Sequence, residues 1–107
     1  MEVSFIYVTA ADKSEATAIG KAMVERRLAA FANVIDGMNS IYWWKGKIEE
    51  ATEAVLILKT QRPKVGALIA AVREVHSYEC PCVVALPIQE GNPDYMDWIA
   101  ASTEGEE

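Results

Sequence analysis

The sequence predicts a single α+β domain in which helices cover one face of an antiparallel sheet. Segments rich in β-branched and aromatic residues alternate with two segments whose apolar residues repeat every 3.6 positions. The chain has 107 residues and is 51% hydrophobic, which suits one core and is too little for two domains. We assign the domain to residues 1–103 and a short polar tail to residues 104–107.

The first strand and the first helix follow directly from local patterns. Residues 3–9 are rich in β-branched and aromatic residues on both faces, which indicates a strand buried on both sides. Asp12 and Glu15 form a capping-box pattern, and the apolar stripe after them predicts a helix over residues 13–29. Gly20 lies in that stripe, where a glycine indicates close packing of the helix on the sheet.

A long hairpin is predicted next. Residues 31–35 and 40–44 both read as strand, and Asp36 and Gly37 between them predict a turn, so this strand is bent or interrupted. Residues 45–47 form the hairpin tip, and residues 48–60 form a long returning strand.

The second half repeats the alternation. Pro63 suits a first helical turn, and apolar residues then recur at helical spacing up to Val75. Residues 82–88 predict another inner strand, and Asn92 and Pro93 begin a short final helix. The order strand, helix, strand, strand, helix, strand, short helix is that of the split-βαβ, ferredoxin-like arrangement.

The predicted strands are apolar on both faces, although the helices can cover only one. Tyr42, Trp43 and Trp44 add three consecutive aromatic residues near the hairpin tip. Self-association in a closed ring would bury these surfaces symmetrically and protect the hairpin edges. The pattern alone does not give the symmetry.

Charge and composition exclude several classes of partner. A net charge of -6 repels nucleic-acid phosphates and anionic membrane surfaces, so we expect neither as a partner. The N-terminal segment lacks a cationic leader and an apolar run long enough for a membrane helix, which predicts a cytoplasmic protein. Only two cysteines occur, two positions apart, as in a protein from a reducing compartment.

His76, Cys80 and Cys82 are the best candidates for metal chemistry. A soft copper or zinc ion accepts imidazole and thiolate ligands, and positions i and i+2 of a strand share a face. Alternatively, the cysteines are buried as small apolar residues and His76 binds a cation with other groups, including those of a neighbouring subunit. His76 is the only histidine, and no nucleophile has an evident activating partner, so we do not expect an enzyme.

Arg27 and Lys59 are charges in apolar contexts. Arg27 falls in the predicted helix stripe, where it either extends to the surface, forms an ion pair, or reaches an anion in a cleft. Lys59 poses the same choice near the end of its strand.

Five segments resemble the CutA divalent-cation tolerance family in order and spacing, over nearly the whole chain. They are Arg27-Leu28-Ala29-Ala30, Ser40-Ile41-Tyr42-x-Trp44-x-Gly46, Leu58-Lys59-Thr60, His76-x-Tyr78-Glu79-x-Pro81 and Tyr95-x-x-Trp98-Ile99. The resemblance implies a ferredoxin-like homotrimer whose hairpins pack between subunits, a non-enzymatic role in divalent cation tolerance, and copper binding.

The resemblance also implies roles for individual residues. His76 matches a position implicated in metal binding. Residues that match the lining of clefts between subunits are Tyr42, Trp44, Lys59, Tyr78, Glu79 and Trp98, and we add Arg27 as a cleft candidate. At two positions where family members carry cysteine, this chain has Val8 and Phe31, which removes two soft ligands.

Two other functions are considered beside this one. A PII-like trimeric signalling module would bind a small anion or nucleotide in the cleft, through Arg27 and Lys59. An enzyme would use His76 or Glu79 as its proton carrier.

Overall fold

A computed structural model describes residues 2–105 and shows four strands and three α-helices. The elements are β1 (Val3–Ala10), α1 (Lys13–Glu25), β2 (Phe31–Trp44), β3 (Lys47–Gln61), α2 (Val65–Val75), β4 (Val83–Ile88) and α3 (Pro93–Ser102). A 3-10 turn at Arg62–Lys64 holds Pro63 and leads into α2. Of the predicted tail, Glu104 and Gly105 follow α3, and residues 106–107 lie outside the described residues.

The strands form one antiparallel sheet in the order β2-β3-β1-β4, which confirms the ferredoxin-like prediction. One detail is wrong: β4 was predicted to be an inner strand, and it is an edge strand. Pro87 lies within it and cannot donate a ladder hydrogen bond, which the chain tolerates at an edge.

The predicted interruption of the second strand is a bulge within one continuous strand. The pairing of β2 with β3 shifts register between Ile35 and Met38, so Asp36 and Gly37 form no separate turn. At the tip, Lys45 and Gly46 have φ of 51° and 81°, as in the two-residue turns that match strand twist. The long hairpin gives the molecule extents of 44 × 27 × 22 Å.

Helix α1 ends at Glu25, four residues before the predicted end. Arg27 adopts a left-handed φ of 60°, and the amides of Leu28 and Ala29 both donate to the carbonyl of Met23. This closure turns Leu28 into the core, where it is fully buried. Arg27 therefore lies in the turn after the helix and not in its apolar stripe.

Helices α1 and α2 pack on one face of the sheet, here named the covered face. Its strand residues include Ile6, Val8, Leu56 and Leu58, all fully buried. The predicted role of Gly20 is confirmed, because a Cβ at this position would lie 3.0 Å from Leu56 Cδ1.

The opposite face, here named the open face, has a cover only at one end. There α3 packs on β3, and the Gln61 amide donates to the carbonyl of Ala100 at 3.2 Å. Further along, Ile35, Val84 and Leu86 are about half exposed. The predicted apolar second face is therefore present, and a single chain leaves it largely uncovered. Among residues 2–105, no helix is long and apolar enough to span a membrane.

Candidate functional site

A cavity of about 450 Å³ lies on the open face, between the hairpin and the loop that precedes β4. We name it the hairpin cavity. The hairpin contributes Ser40, Tyr42, Trp44 and Glu53. The remaining lining residues are Thr9, Tyr78, Glu79, Cys80 and Cys82. Four predicted cleft residues and both predicted thiols therefore meet in one place.

Glu53 is the most buried acidic residue of this cavity. It is 8% exposed, and its Oε2 accepts a hydrogen bond of 2.6 Å from the Tyr78 hydroxyl. Burial, together with the Glu53 carboxylate, raises the pKa of Tyr78 well above its usual value. The phenol therefore stays protonated and fixes the direction of the carboxylate.

His76 lies beside the cavity, and its side chain is fully buried. Nε2 lies 2.7 Å from the carbonyl oxygen of Thr9, and Nδ1 lies 3.1 Å from the amide nitrogen of Tyr78. Since a carbonyl only accepts and an amide N–H only donates, Nε2 carries the proton and Nδ1 accepts. Both ring nitrogens are therefore engaged with the backbone, and the ring holds the loop that carries Tyr78 against β1.

Glu15 ties the same loop to helix α1. Asp12 caps the helix by accepting from the Glu15 amide at 2.9 Å. The Glu15 carboxylate accepts from the amides of Ala11 at 2.9 Å and Ser77 at 2.8 Å. Burial pushes the pKa of Glu15 up, but these hydrogen bonds outweigh it and hold the pKa below its usual value.

The donors of one chain do not fit a fixed metal site. Cys80 is exposed and Cys82 half-buried, and both thiols are free. Burial, and then the Glu53 carboxylate, raise the pKa of the Cys82 thiol, which disfavours the thiolate that a metal requires. Within residues 2–105, no three His, Cys, Asp or Glu side chains converge as ligands. The predicted cluster of His76 with the two cysteines does not assemble as one ligand set.

The other predicted cleft residues lie elsewhere on the chain. The Lys59 ammonium is 3.2 Å from the Tyr95 hydroxyl and 5.1 Å from the centre of the Phe31 ring. Trp98 stacks on Tyr95 with ring centres 5.6 Å apart. Arg27 is exposed, and its Nη1 donates to the carbonyl of Ser102 at 3.1 Å. We name the group formed by Arg27, Phe31, Lys59, Tyr95 and Trp98 the α3 cluster.

The α3 cluster and the hairpin cavity are separated along β3. Lys59 comes six residues after Glu53 in this strand, which is about 20 Å of extended chain. One chain therefore does not bring all seven predicted cleft residues together. Arg27 and Lys59, the two cations expected to bind an anion, are absent from the cavity lining, which carries Glu53 and Glu79.

Two residues of the site were missed at the sequence level. Glu53 lies two positions before Val55 in a strand, so alternation places it on the same face as Val55 and Ile57. A carboxylate in line with an apolar face is a signal that could have been used. Glu15 was read only as a helix-capping residue, and no local pattern points to its long-range bond with Ser77.

Comparisons with known proteins place this arrangement in context. Residues 4–102 match the family described as "CutA1 divalent ion tolerance protein". The "Protein CutA homolog" of Xenopus laevis is 50% identical over 97 residues, which are 91% of this chain and 64% of that protein. The "Divalent-cation tolerance protein CutA" of Archaeoglobus fulgidus is 42% identical over 101 residues, which are 94% of this chain and 98% of that protein. The chain thus spans less than two thirds of the animal protein and nearly all of the archaeal one.

Solved structures agree with the fold. The structure titled periplasmic divalent cation tolerance protein CutA from Archaeoglobus fulgidus superposes with a TM-score of 0.92 at 41% identity, covering 95% of this chain and 99% of that one. CutA1 from Oryza sativa superposes with a TM-score of 0.93 at 36% identity, covering 97% and 95%.

Proposed function

Because the chain belongs to the CutA1 divalent ion tolerance family, we propose that it acts in divalent cation tolerance as a homotrimer and without catalysing a reaction. The open face carries the assembly part of this proposal. Val84 and Leu86, on the edge strand β4, are 49% and 52% exposed on this face, and residues 2–105 leave both of them about half uncovered. Fully burying such a side chain contributes about 1.5–3 kcal/mol. Copies of the same chain are the economical cover.

The hairpin adds a second surface of the same kind. Trp43, Ile41 and Ile48 are 72%, 65% and 63% exposed, and they lie on the side of the hairpin opposite the cavity. Exposed apolar side chains clustered in this way are typical of contact surfaces between proteins. The hairpin therefore offers apolar contacts on both sides to neighbouring copies.

The split of the predicted cleft also supports a ring. In a head-to-tail ring, the hairpin cavity of one copy faces a different surface of the next copy. The α3 cluster is such a surface, and joining the two would unite residues that lie about 20 Å apart along the strand of one chain. The family resemblance implies three copies, and a ring of three would close this contact.

Analytical ultracentrifugation tests the assembly. We expect a single species of three times the chain mass of 11.8 kDa at micromolar concentration. A folded monomer at that concentration would contradict the proposal. In cells that lack the gene and are grown with raised divalent metal, the wild-type chain should restore growth, and a variant that does not assemble should not.

Copper binding through His76 is tested separately. The resemblance predicts that His76→Ala weakens Cu²⁺ binding at least tenfold, or about 1.4 kcal/mol. The two backbone hydrogen bonds of the ring predict no change, because a ligating nitrogen would have to give one of them up. Isothermal titration of both proteins, with circular dichroism as a folding control, distinguishes these outcomes.

We also propose a cytoplasmic location without a nucleic-acid partner. The excess of 16 acidic over 10 basic residues supports the second part. Cell fractionation tests the location, and retention on a DNA or RNA column at physiological salt would contradict the absence of a nucleic-acid partner.

A further inference from the structure

The bulge of strand β2 places two reactive groups next to each other. Asp36 and Gly37 lie between Ile35 and Met38, where the pairing of β2 with β3 shifts register. The amide N–H of Gly37 donates a hydrogen bond of 2.9 Å to Oδ1 of Asp36. The amide nitrogen therefore lies beside the carboxyl carbon of the preceding side chain, near the separation of about 3–3.5 Å from which such groups react.

The surroundings of this pair leave its backbone free to move. Within residues 2–105, neither Asp36 nor Gly37 has a cross-strand partner in β3, whereas the residues on either side of them are paired. Gly37 has a φ of 78°, and a Cβ built on it would meet nothing within 4 Å among the described residues. Both residues are exposed. The Gly37 nitrogen is therefore unshielded at a point where the ladder hydrogen bonds are interrupted.

The proposed assembly leaves the bulge accessible. The bulge lies opposite Ala54, whose side chain belongs to the core of the covered face, so alternation places it on the side that faces away from the open face. The apolar patch toward the hairpin tip begins at Ile41, four residues beyond Gly37, which is about 13 Å of extended strand. A bulge also interrupts the row of edge groups with which a neighbouring strand would pair.

We propose that Asp36 and Gly37 form a site of isoaspartate formation in the folded protein. The nitrogen of Gly37 bonds to Cγ of the protonated Asp36 side chain, and the carboxyl OH leaves as water together with the proton of that nitrogen. Water then opens the ring. Attack at the former backbone carbonyl carbon breaks its bond to the nitrogen and leaves the chain running through Cγ, whereas attack at Cγ restores aspartate. No atom is gained or lost overall, and nothing is oxidised or reduced.

This modification site goes beyond the proposed function and uses no residue of the hairpin cavity or the α3 cluster. Isoaspartate adds one atom to the main chain at the junction between the base of the hairpin and its arm. It also leaves a free α-carboxylate at this exposed position. An enzyme that methylates isoaspartyl carboxylates is the class of partner that fits the product.

The test compares two nearby sites in the folded and the unfolded chain. Asn39 can close the same kind of ring on the nitrogen of Ser40, with loss of ammonia, but it is paired with Thr52 in the ladder. Folded protein, and protein unfolded in guanidinium chloride, are aged at neutral pH in water labelled with heavy oxygen and then digested in ordinary water. Each ring opening introduces one labelled oxygen, and electron-transfer fragmentation locates the label and distinguishes isoaspartate from aspartate.

We expect folding to slow the reaction at Asn39 at least tenfold, which is about 1.4 kcal/mol in activation free energy, and at Asp36 by less than twofold. Equal slowing at the two positions would overturn the proposal. Absence of isoaspartate at position 36 of the folded chain would overturn it as well.

Matched variants identify the reacting side chain. Asp36→Glu keeps the charge but requires a larger ring, so incorporation of label at this position should fall at least tenfold. Asp97→Glu makes the same change on helix α3 and should leave the yield at position 36 within twofold of the wild type. If both variants lower that yield equally, the assignment fails.

Two features of the experiment keep its outcome clear. The comparison of folded with unfolded wild type needs no variant, so it decides the question even if Asp36→Glu does not fold. Sedimentation of the same samples reports the assembly separately. Isoaspartate formed in a folded monomer counts against the trimer alone, and its absence from an intact trimer counts against the modification alone.

Discussion

The two faces of the sheet are built from the same kinds of residue and end in different surroundings. On the covered face, Leu56 and Leu58 are fully buried beneath α1 and α2. On the open face, Leu86 and Val84 are about half exposed. A strand with aliphatic side chains on both of its faces is typical of a sheet that is buried on both sides. The comparison teaches that one copy of the chain covers only one of two apolar faces of its sheet.

The largest expected effect separates two leucines, one from each face. Leu56→Ala removes a fully buried side chain and should lower the free energy of unfolding by about 2–5 kcal/mol. Leu86→Ala should cost clearly less at low protein concentration, where its side chain is half exposed. The cost should rise with concentration if copies cover this face. Guanidinium unfolding at two protein concentrations measures both.

A different pair of substitutions tests the assembly itself. Val84→Glu places a charge on the open face, and Val75→Glu places one on α2, at nearly equal exposures of 49% and 52%. Burial of Val84 between copies would contribute about 1.5–3 kcal/mol per copy. We therefore expect Val84→Glu to shift the assembly toward monomer in sedimentation, and Val75→Glu to leave it unchanged. An equal response from both would mean that the two faces do not differ.

The sequence predicts the fold well where patterns are local. The strand alternation, the capping box at Asp12 and the apolar stripe of α2 each specify one element, and the element order specifies the topology. The errors occur at ends and edges. The end of α1 depends on the left-handed backbone of Arg27. Arginine rarely adopts this conformation, so the sequence does not predict it. The edge position of β4 was signalled by Pro87 and was not used.

The site was predicted less completely because it depends on contacts between distant residues. The resemblance supplied Tyr42, Trp44, Tyr78 and Glu79, which the structure brings to one cavity. It did not indicate that His76 uses both nitrogens to hold the backbone. That fact depends on how a loop packs against β1, 67 positions away in the chain, and no local pattern encodes such packing.

A smaller effect is expected at Glu15, which ties the loop at Ser77 to helix α1. Glu15→Gln should reduce stability near pH 7 by about 1 kcal/mol, because a carboxylate that accepts two backbone amides becomes a weaker, neutral acceptor. The pKa of Glu15 is lowered on folding, so its contribution is present above its ordinary value of 4.5 and is lost as the pH falls through the lower folded value. The difference between wild type and variant in thermal melts should therefore shrink below about pH 4.5. A constant difference down to pH 3 would contradict this assignment.

The smallest effects distinguish two helical glycines, one on the covered face and one exposed. A Cβ at Gly66 of α2 would meet nothing within 4 Å, so Gly66→Ala should stabilise the chain by about 0.5–1 kcal/mol through helix propensity alone. A Cβ at Gly20 would lie 3.0 Å from Leu56 Cδ1 and 3.1 Å from Ala32 Cβ. The same gain in propensity is then opposed by overpacking of about 1–3 kcal/mol, since Leu56 is fully buried and has little room to move. We expect Gly20→Ala to lower the melting temperature and Gly66→Ala to raise it. If both raise it, the packing of α1 on the covered face is looser than these distances indicate, and the contrast between the faces rests on exposure alone.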